Sequence, residues 1–305
     1  MARGPGRNVG ASVRDRLTHQ ARSRGEDVQL LLTRYAIERL LYRLSRSPHR
    51  DRFALKGAML FSVWTAVPYR ATGDLDLLGF GENTPERIAD AFREICATPV
   101  EDDGVRFLGE TLRVEAARAE DEYGGVRLSL DAVIAGARLP VRVDVGLGDA
   151  VTPGLAEIAY PSLLDLPRPR LRAYPPETVV AEKLQALVAF GLLNSRMKDF
   201  FDLWAISGLF AFDGTVLGEA IRATFERRAT PIPADPPVAL TAAFADDRAK
   251  QAQWRAFLRR TAMTLQPPAL PYLINAVAEF VLPPLRAVAG GVMFELDWRA
   301  GGPWR

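Results

Sequence analysis

The sequence holds one cysteine, Cys96, and two histidines, His19 and His49. A single thiol excludes any disulfide within the chain and fits a reducing cytoplasm. The histidines lie far in sequence from each other and from Cys96, so no zinc ligand set is visible. Long apolar runs are also missing. The stretch 273–296 is broken by Glu279, Pro283, Pro284 and Arg286, which argues against a membrane span. The N-terminus lacks the apolar core of a signal peptide. Strong charge of one sign is absent too: the net charge is +2, so no global basic field advertises nucleic acid. There is no internal repeat and no low-complexity tract. What is present is ordinary globular composition, 48% hydrophobic and 25% charged over 305 residues, enough for two domains.

Charge is uneven locally. Residues 1–24 carry Arg3, Arg7, Arg14, Arg16, Arg22 and Arg24 against Asp15 alone. This is either a frayed basic tail or a phosphate-contacting arm. Residues 11–23 read as a basic amphipathic helix. A stronger helix is expected over 28–46, where Val28, Leu31, Leu32, Tyr35, Leu40, Leu41 and Leu44 recur near helical spacing behind an Asp27 cap. Arg39, Arg43 and Arg46 share what reads as its wetter face. Helix 85–97 has a Thr84 cap and Pro85 at its first position. Strands are expected at 105–108, 112–117, 126–134 and 141–147, the last two pairing across a turn at Ala135-Gly136-Ala137. Pro161, Pro167, Pro169, Pro175 and Pro176, with Arg168, Arg170 and Arg172 between them, read as an extended connector. Helices follow near 176–190, 196–207, 214–228, 249–263 and 270–287. The expected fold is α+β: a mixed-sheet domain over 1–165, then a mostly helical domain over 166–305 that closes a cleft.

The chemistry concentrates in Arg70-Ala-Thr72-Gly-Asp74-Leu-Asp76-Leu. On a strand, Asp74 and Asp76 share one face and Leu75 and Leu77 take the other. Two adjacent carboxylates repel unless a cation sits between them, and hard oxygens suit magnesium. The bland alternative is a solvated strand edge or a turn. Upstream, Lys56-Gly57-Ala58 opens what reads as an apolar helix, and a glycine at a helix start lets N–H groups approach phosphate. Downstream, Val141-Arg-Val-Asp144-Val-Gly is an alternating strand with one carboxylate. A second cluster runs from Glu182-Lys183-Leu to Arg196-Met-Lys198-Asp199-Phe-Phe-Asp202. Asp199 and Asp202 share a helix face, and Glu182 and Lys183, being adjacent, do not face each other. This cluster reads either as a surface salt-bridge ladder, worth little stability, or as a set of phosphate-binding cations.

The helix-opening glycine, the Asp-x-Asp strand and the later carboxylate resemble the layout of the DNA polymerase beta nucleotidyltransferase superfamily. Taken in order, Leu-Lys-Gly-Ala, Arg-x-Thr-x-Asp-Leu-Asp-Leu, Val-Asp-Val-Gly, Glu-Lys-Leu and Arg-x-Lys-Asp-x-x-Asp-Leu resemble the abortive-infection E (AbiEii, MenT-like) toxin family over roughly residues 10–210. The resemblance implies a nucleotidyltransferase toxin, encoded beside an antitoxin, that adds nucleotides, pyrimidines in the expected case, from NTP to the 3′ end of tRNA. It implies catalytic roles for Asp74, Asp76, Asp144, Lys183 and Asp199, with the three aspartates Asp74, Asp76 and Asp144 holding two magnesium ions. Lys56, Gly57, Ala58, Thr72, Arg196 and Lys198 would bind nucleotide phosphate. Two positions depart from the pattern: Gly73 stands where a basic residue often precedes the acidic pair, and Gly57-Ala58 replaces Gly-Gly or Gly-Ser. Nucleotidyl or phosphoryl transfer to a protein hydroxyl stays open, as does a non-catalytic nucleotide-binding module. A binding module, however, has no need for Asp144.

Overall fold

The computed structural model describes residues 8–65, 67–116 and 125–305. The expected positions Arg3, Arg7 and Ala117 lie outside them. The chain divides into two units: one of Met1–Ala66, Thr72–Gly148 and Glu157–Ala173, the other of Val67–Ala71, Asp149–Ala156 and Tyr174–Arg305. The boundary expected at 165/166 falls inside the last stretch of the first unit.

In the first unit, α1 (Val9–Arg24) and α2 (Val28–Arg46) lead to β1 (Phe53–Lys56). The Asp27 carboxylate accepts the Leu30 N–H at 2.7 Å, which stops α2 from fraying at its start. A 3-10 turn, Gly57–Leu60, then runs into one turn of helix, α3 (Phe61–Trp64). The longer apolar helix expected here does not form. Gly57 takes φ +70, outside the helical region, and the Thr65 hydroxyl donates to the Phe61 carbonyl at 2.6 Å just past the last helical turn. After β2 (Asp74–Gly79) and α4 (Pro85–Ala97) come β3 (Arg106–Ala116), β4 (Gly125–Ile134), β5 (Ala137–Leu147), β6 (Ala156–Ala159) and β7 (Arg170–Ala173). The two strands expected around 105–117 are one strand, with its register shifted between Leu108 and Arg113. Ala135 at φ 45 and Gly136 at φ 80 turn β4 into β5 as a tight hairpin.

These strands form one mixed sheet in the order β3-β4-β5-β2-β1-β7-β6. The supposed connector therefore ends in a strand: β7 lies parallel to β1, pairing Ala173 with Leu55. Arg172 is tied down there, donating to the Asp51 carbonyl and stacking 4.8 Å above the Phe80 ring. Burial alternates along the central strands. Leu75, Leu77, Leu128, Leu130, Val141, Val143 and Val145 point into the core, and α2 and α4 pack against the sheet. Removing such side chains from water stabilises the unit by about 2 kcal/mol each.

The wetter face expected on α2 is corrected. Arg39 and Arg43 are buried. Arg39 Nη2 lies 2.6 Å from Glu38 Oε1 and donates to the Pro167 carbonyl at 2.9 Å. Arg43 forms a two-pronged pair with Asp103 at 2.7 and 3.1 Å. Helical spacing put both residues on one face of the helix, but it could not show that this face is buried, because Asp103 and Pro167 lie far off in sequence. Arg46 remains exposed.

The second unit is mostly helical: α5 (Pro176–Phe190), α6 (Met197–Leu209), α7 (Gly214–Arg227), α8 (Ala242–Ala245), α9 (Arg248–Arg260) and α10 (Leu270–Ala289), with a small pair of β8 (Phe212–Asp213) and β9 (Asp297–Trp298). By length and composition α10 could cross a membrane. Here Leu273, Ile274, Val277, Phe280, Val281 and Leu285 are buried, and the helix packs on α6 and α7. The C-terminal segment returns to this core: Trp304 donates to the Phe280 carbonyl at 2.9 Å and Trp298 to the Ser207 carbonyl at 2.7 Å.

Candidate active site

The sequence-predicted residues fall into two groups, one in each unit. In the first unit they are arranged by strand register. β2 runs antiparallel to β1 and parallel to β5, so Asp76 stands opposite Lys56 on one side and opposite Asp144 on the other. The row continues to Arg127 on β4 and Glu115 on β3. Residues in register share a face, so one row crosses five strands as Lys56, Asp76, Asp144, Arg127, Glu115. It lies on the face opposite the buried leucines and valines. Asp74, two residues before Asp76, sits on the same face opposite Arg142 and is exposed. Thr72 precedes it, its hydroxyl 3.5 Å from the Asp74 N–H.

Gly57 is pressed against this row. A Cβ on it would lie 2.7 Å from Asp76 Cγ and 2.8 Å from Asp76 Cβ. Together with φ +70, this leaves room for glycine alone. The backbone that could cradle a phosphate therefore touches the central carboxylate, and Lys56 stands next to both. Ala58 is buried behind them. α3 is too short to carry much dipole, so phosphate binding here would rest on Lys56 and backbone N–H groups.

Asp144 is engaged by a residue that the motif search missed. Arg127 Nε and Nη2 approach its two carboxylate oxygens at 2.7 and 2.8 Å. Among the described residues, no group of three or more carboxylate, histidine or cysteine side chains gathers as a ready metal cluster. The donor chemistry nonetheless suits a hard divalent ion, with three carboxylates on one sheet face and two of them side by side on parallel strands.

The second group is not a surface ladder. Asp199 and Asp202 are buried. Lys183 Nζ lies 2.8 Å from Asp199 Oδ1 and 2.8 Å from Asp202 Oδ2. Arg196 reaches Asp199 at 2.7 Å, and Arg70 grips Asp202 with two bonds of 2.6 and 2.7 Å. Burial alone would raise both carboxyl pKa values. The cations reverse this, Lys183 and Arg196 at Asp199, Arg70 and Lys183 at Asp202, and hold both well below the usual carboxylate range. Burial likewise works against the Lys183 charge, but Asp199 and Asp202 outweigh it and push its pKa up. Lys183 stays an ammonium at neutral pH. Lys198 is exposed in the first turn of α6. Glu182 turns away from Lys183 to Arg228, at 3.0 Å. Arg70 and Asp202 stood inside the quoted motifs but were given no role, because sequence spacing cannot pair residues so far apart.

A family model described as "Nucleotidyl transferase AbiEii toxin, Type IV TA system" matches residues 39–279. None of the curated proteins matches the chain. Among solved structures, one from H. pylori described as a candidate nucleotidyltransferase is 12% identical, covering 86% of this chain and 93% of its own, with a TM-score of 0.48. JHP933 from Helicobacter pylori is 13% identical, covering 86% of this chain and 90% of its own, with a TM-score of 0.49.

Proposed function

Because the chain belongs to the AbiEii nucleotidyl transferase toxin family of type IV toxin–antitoxin systems, we propose that it transfers nucleotidyl groups from NTP to the 3′ end of tRNA and so blocks translation. Pyrimidine nucleotides are the donors, the cytoplasm is the site of action, and the partner is an antitoxin encoded nearby. The observation that carries this reading is the row in which Asp76 stands between Lys56 and Asp144, with Gly57 against its carboxylate. A carboxylate pair for cations and a backbone cradle for phosphate adjoin on one sheet face.

In the proposed step, the acceptor 3′ oxygen attacks the α-phosphorus of the NTP. The bond from that phosphorus to the bridging oxygen breaks, and pyrophosphate leaves. Asp74, Asp76 and Asp144 would hold two magnesium ions, which when bound neutralise phosphate charge and make the attacking hydroxyl easier to deprotonate. Lys56 and the N–H groups around Gly57 steady the departing phosphates. Such a site needs positioning and charge neutralisation more than covalent chemistry. Lys183 and Lys198 enter as phosphate-neutralising cations on motif order alone. Asp199 and Asp202 then act as positioning residues that keep Lys183 charged and in place.

The test is to sequence tRNA 3′ ends from cells expressing the protein or its Asp76→Asn variant. Extended ends with the unaltered protein only support the reading. Unaltered ends, together with a nucleotide-labelled protein, would replace it with transfer to a protein hydroxyl.

A further inference from the structure

The face that carries Asp74, Asp76 and Asp144 continues across β3, β4 and β5 in three further rows. The register fixes which residues share it. The row of Asp74 continues through Arg142 and Ser129 to Arg113. The next holds Pro140, Asp131 and Leu108, and the one beyond holds Arg138, Val133 and Arg106. On these strands, then, the rows beyond the Asp144–Arg127 pair present Arg106, Arg113, Arg138 and Arg142 against Asp131, with exposed Glu110 in the irregular stretch of β3 between Leu108 and Arg113. All four arginines are exposed. Arg138 pairs with Asp131 at 2.6 Å, whereas Arg106, Arg113 and Arg142 form no ion pair among the described residues. A chain of net charge +2 has thus placed a basic patch beside its acidic row.

We propose that this β3–β4–β5 face is the track for the acceptor RNA backbone, an assignment that rests on the RNA-transfer reading above. Three observations favour a polynucleotide. From the Arg127 row to the Val133 row the face extends about 20 Å, longer than one nucleotide occupies. The cations are all arginine, whose planar fork matches phosphate oxygens. Arg138 and Arg142 stand on β5, interior to the sheet, so those two charges do not serve to blunt an edge against aggregation. Beneath them Leu128, Leu130, Leu139, Val141 and Val143 are buried, which holds the arginine-bearing backbone rigid. Contacts of this kind fix position without reading sequence.

The test is the salt dependence of tRNA binding, without NTP, for the full chain and for an Arg106→Ala/Arg113→Ala/Arg142→Ala variant whose fold is checked by circular dichroism. Each lost phosphate contact lowers the slope of log K against log salt by about 0.7–0.9. The expected result is a slope shallower by about 2–3, a KM for RNA raised at least about tenfold, and an unchanged KM for NTP. Arg142 stands opposite Asp74, so an Arg106→Gln/Arg113→Gln variant serves as a second probe, with an expected slope change of about 1.5–2. A wild-type protein that binds and extends RNA, with variants of unchanged slope and KM, overturns the track and leaves the transfer reading intact. A wild-type protein that neither binds nor extends RNA overturns both.

Discussion

Replacing Lys183 with Met keeps the aliphatic stem and deletes the charge. In the folded chain this removes two contacts of 2.8 Å to buried carboxylates. Neither carboxylate is left alone: Asp199 keeps Arg196, and Asp202 keeps its two-pronged bond to Arg70. Stripping one partner from a buried ion pair costs about 3–5 kcal/mol. The remaining cations place this case at the lower end, about 3 kcal/mol. For a unit of roughly 150 residues, each kcal/mol lowers Tm by about 2–4 °C, so a fall of about 6–12 °C is expected. The pH dependence gives an independent check. Asp199 and Asp202 have depressed pKa values when folded. Their contribution is therefore complete above the ordinary carboxylate range, near pH 4, and is lost as pH falls below it. Lys183, with a raised pKa, contributes below the ordinary lysine value of about 10.4 and loses that contribution as pH rises past its folded pKa. The gap between wild type and Lys183→Met should be widest between roughly pH 5 and 10 and should narrow in acid. Thermal melts followed by circular dichroism across this range measure it. A Tm within about 2 °C of wild type at pH 7 would refute the buried-cluster account and restore the surface-ladder reading.

Two further substitutions probe the first unit. Gly57→Ala should cost about 1–2 kcal/mol for the positive φ; its methyl also displaces Asp76, so transfer should fall about 100-fold, as expected for an ångström of misplacement. Steady-state assay and denaturant melts check both effects. Arg127→Ala should tighten Mn²⁺ binding to the nucleotide-free protein by up to about fivefold, because a half-exposed ion pair competing for Asp144 is worth about 1 kcal/mol at most. Titration calorimetry showing weaker or unchanged binding would mean that Arg127 does not compete for Asp144.

Legibility followed the range of the interactions. Asp27, Thr84 and Pro85 mark helix starts through contacts three residues long, and α2 and α4 begin where these residues predict. Strand alternation likewise put Asp74 and Asp76 on one face, with Leu75 and Leu77 on the other. Whatever depended on distant partners was hidden. Arg39 and Arg43 read as solvent-facing because Pro167 and Asp103 could not be seen as their partners. Arg170–Ala173 read as a connector because its pairing with β1 spans more than a hundred residues. The Lys183 cluster read as either a surface ladder or a set of phosphate-binding cations, and its burial shows only once Arg70 closes it from far upstream. The arginine face of β3, β4 and β5 was written in the alternation of Arg138 and Arg142, but only the register brings Arg106 and Arg113 beside them.

The role proposed for Asp76 in nucleotidyl transfer to RNA is tested by incubating the purified protein with total cellular RNA and each labelled NTP separately, beside Asp76→Asn. Label is expected in the tRNA fraction, strongest with a pyrimidine NTP, and at a rate at least about 100-fold lower in the variant, as befits loss of a major electrostatic stabiliser, with its fold intact by circular dichroism. Transfer by Asp76→Asn at the wild-type rate, or no label in RNA from any of the NTPs, would contradict that role.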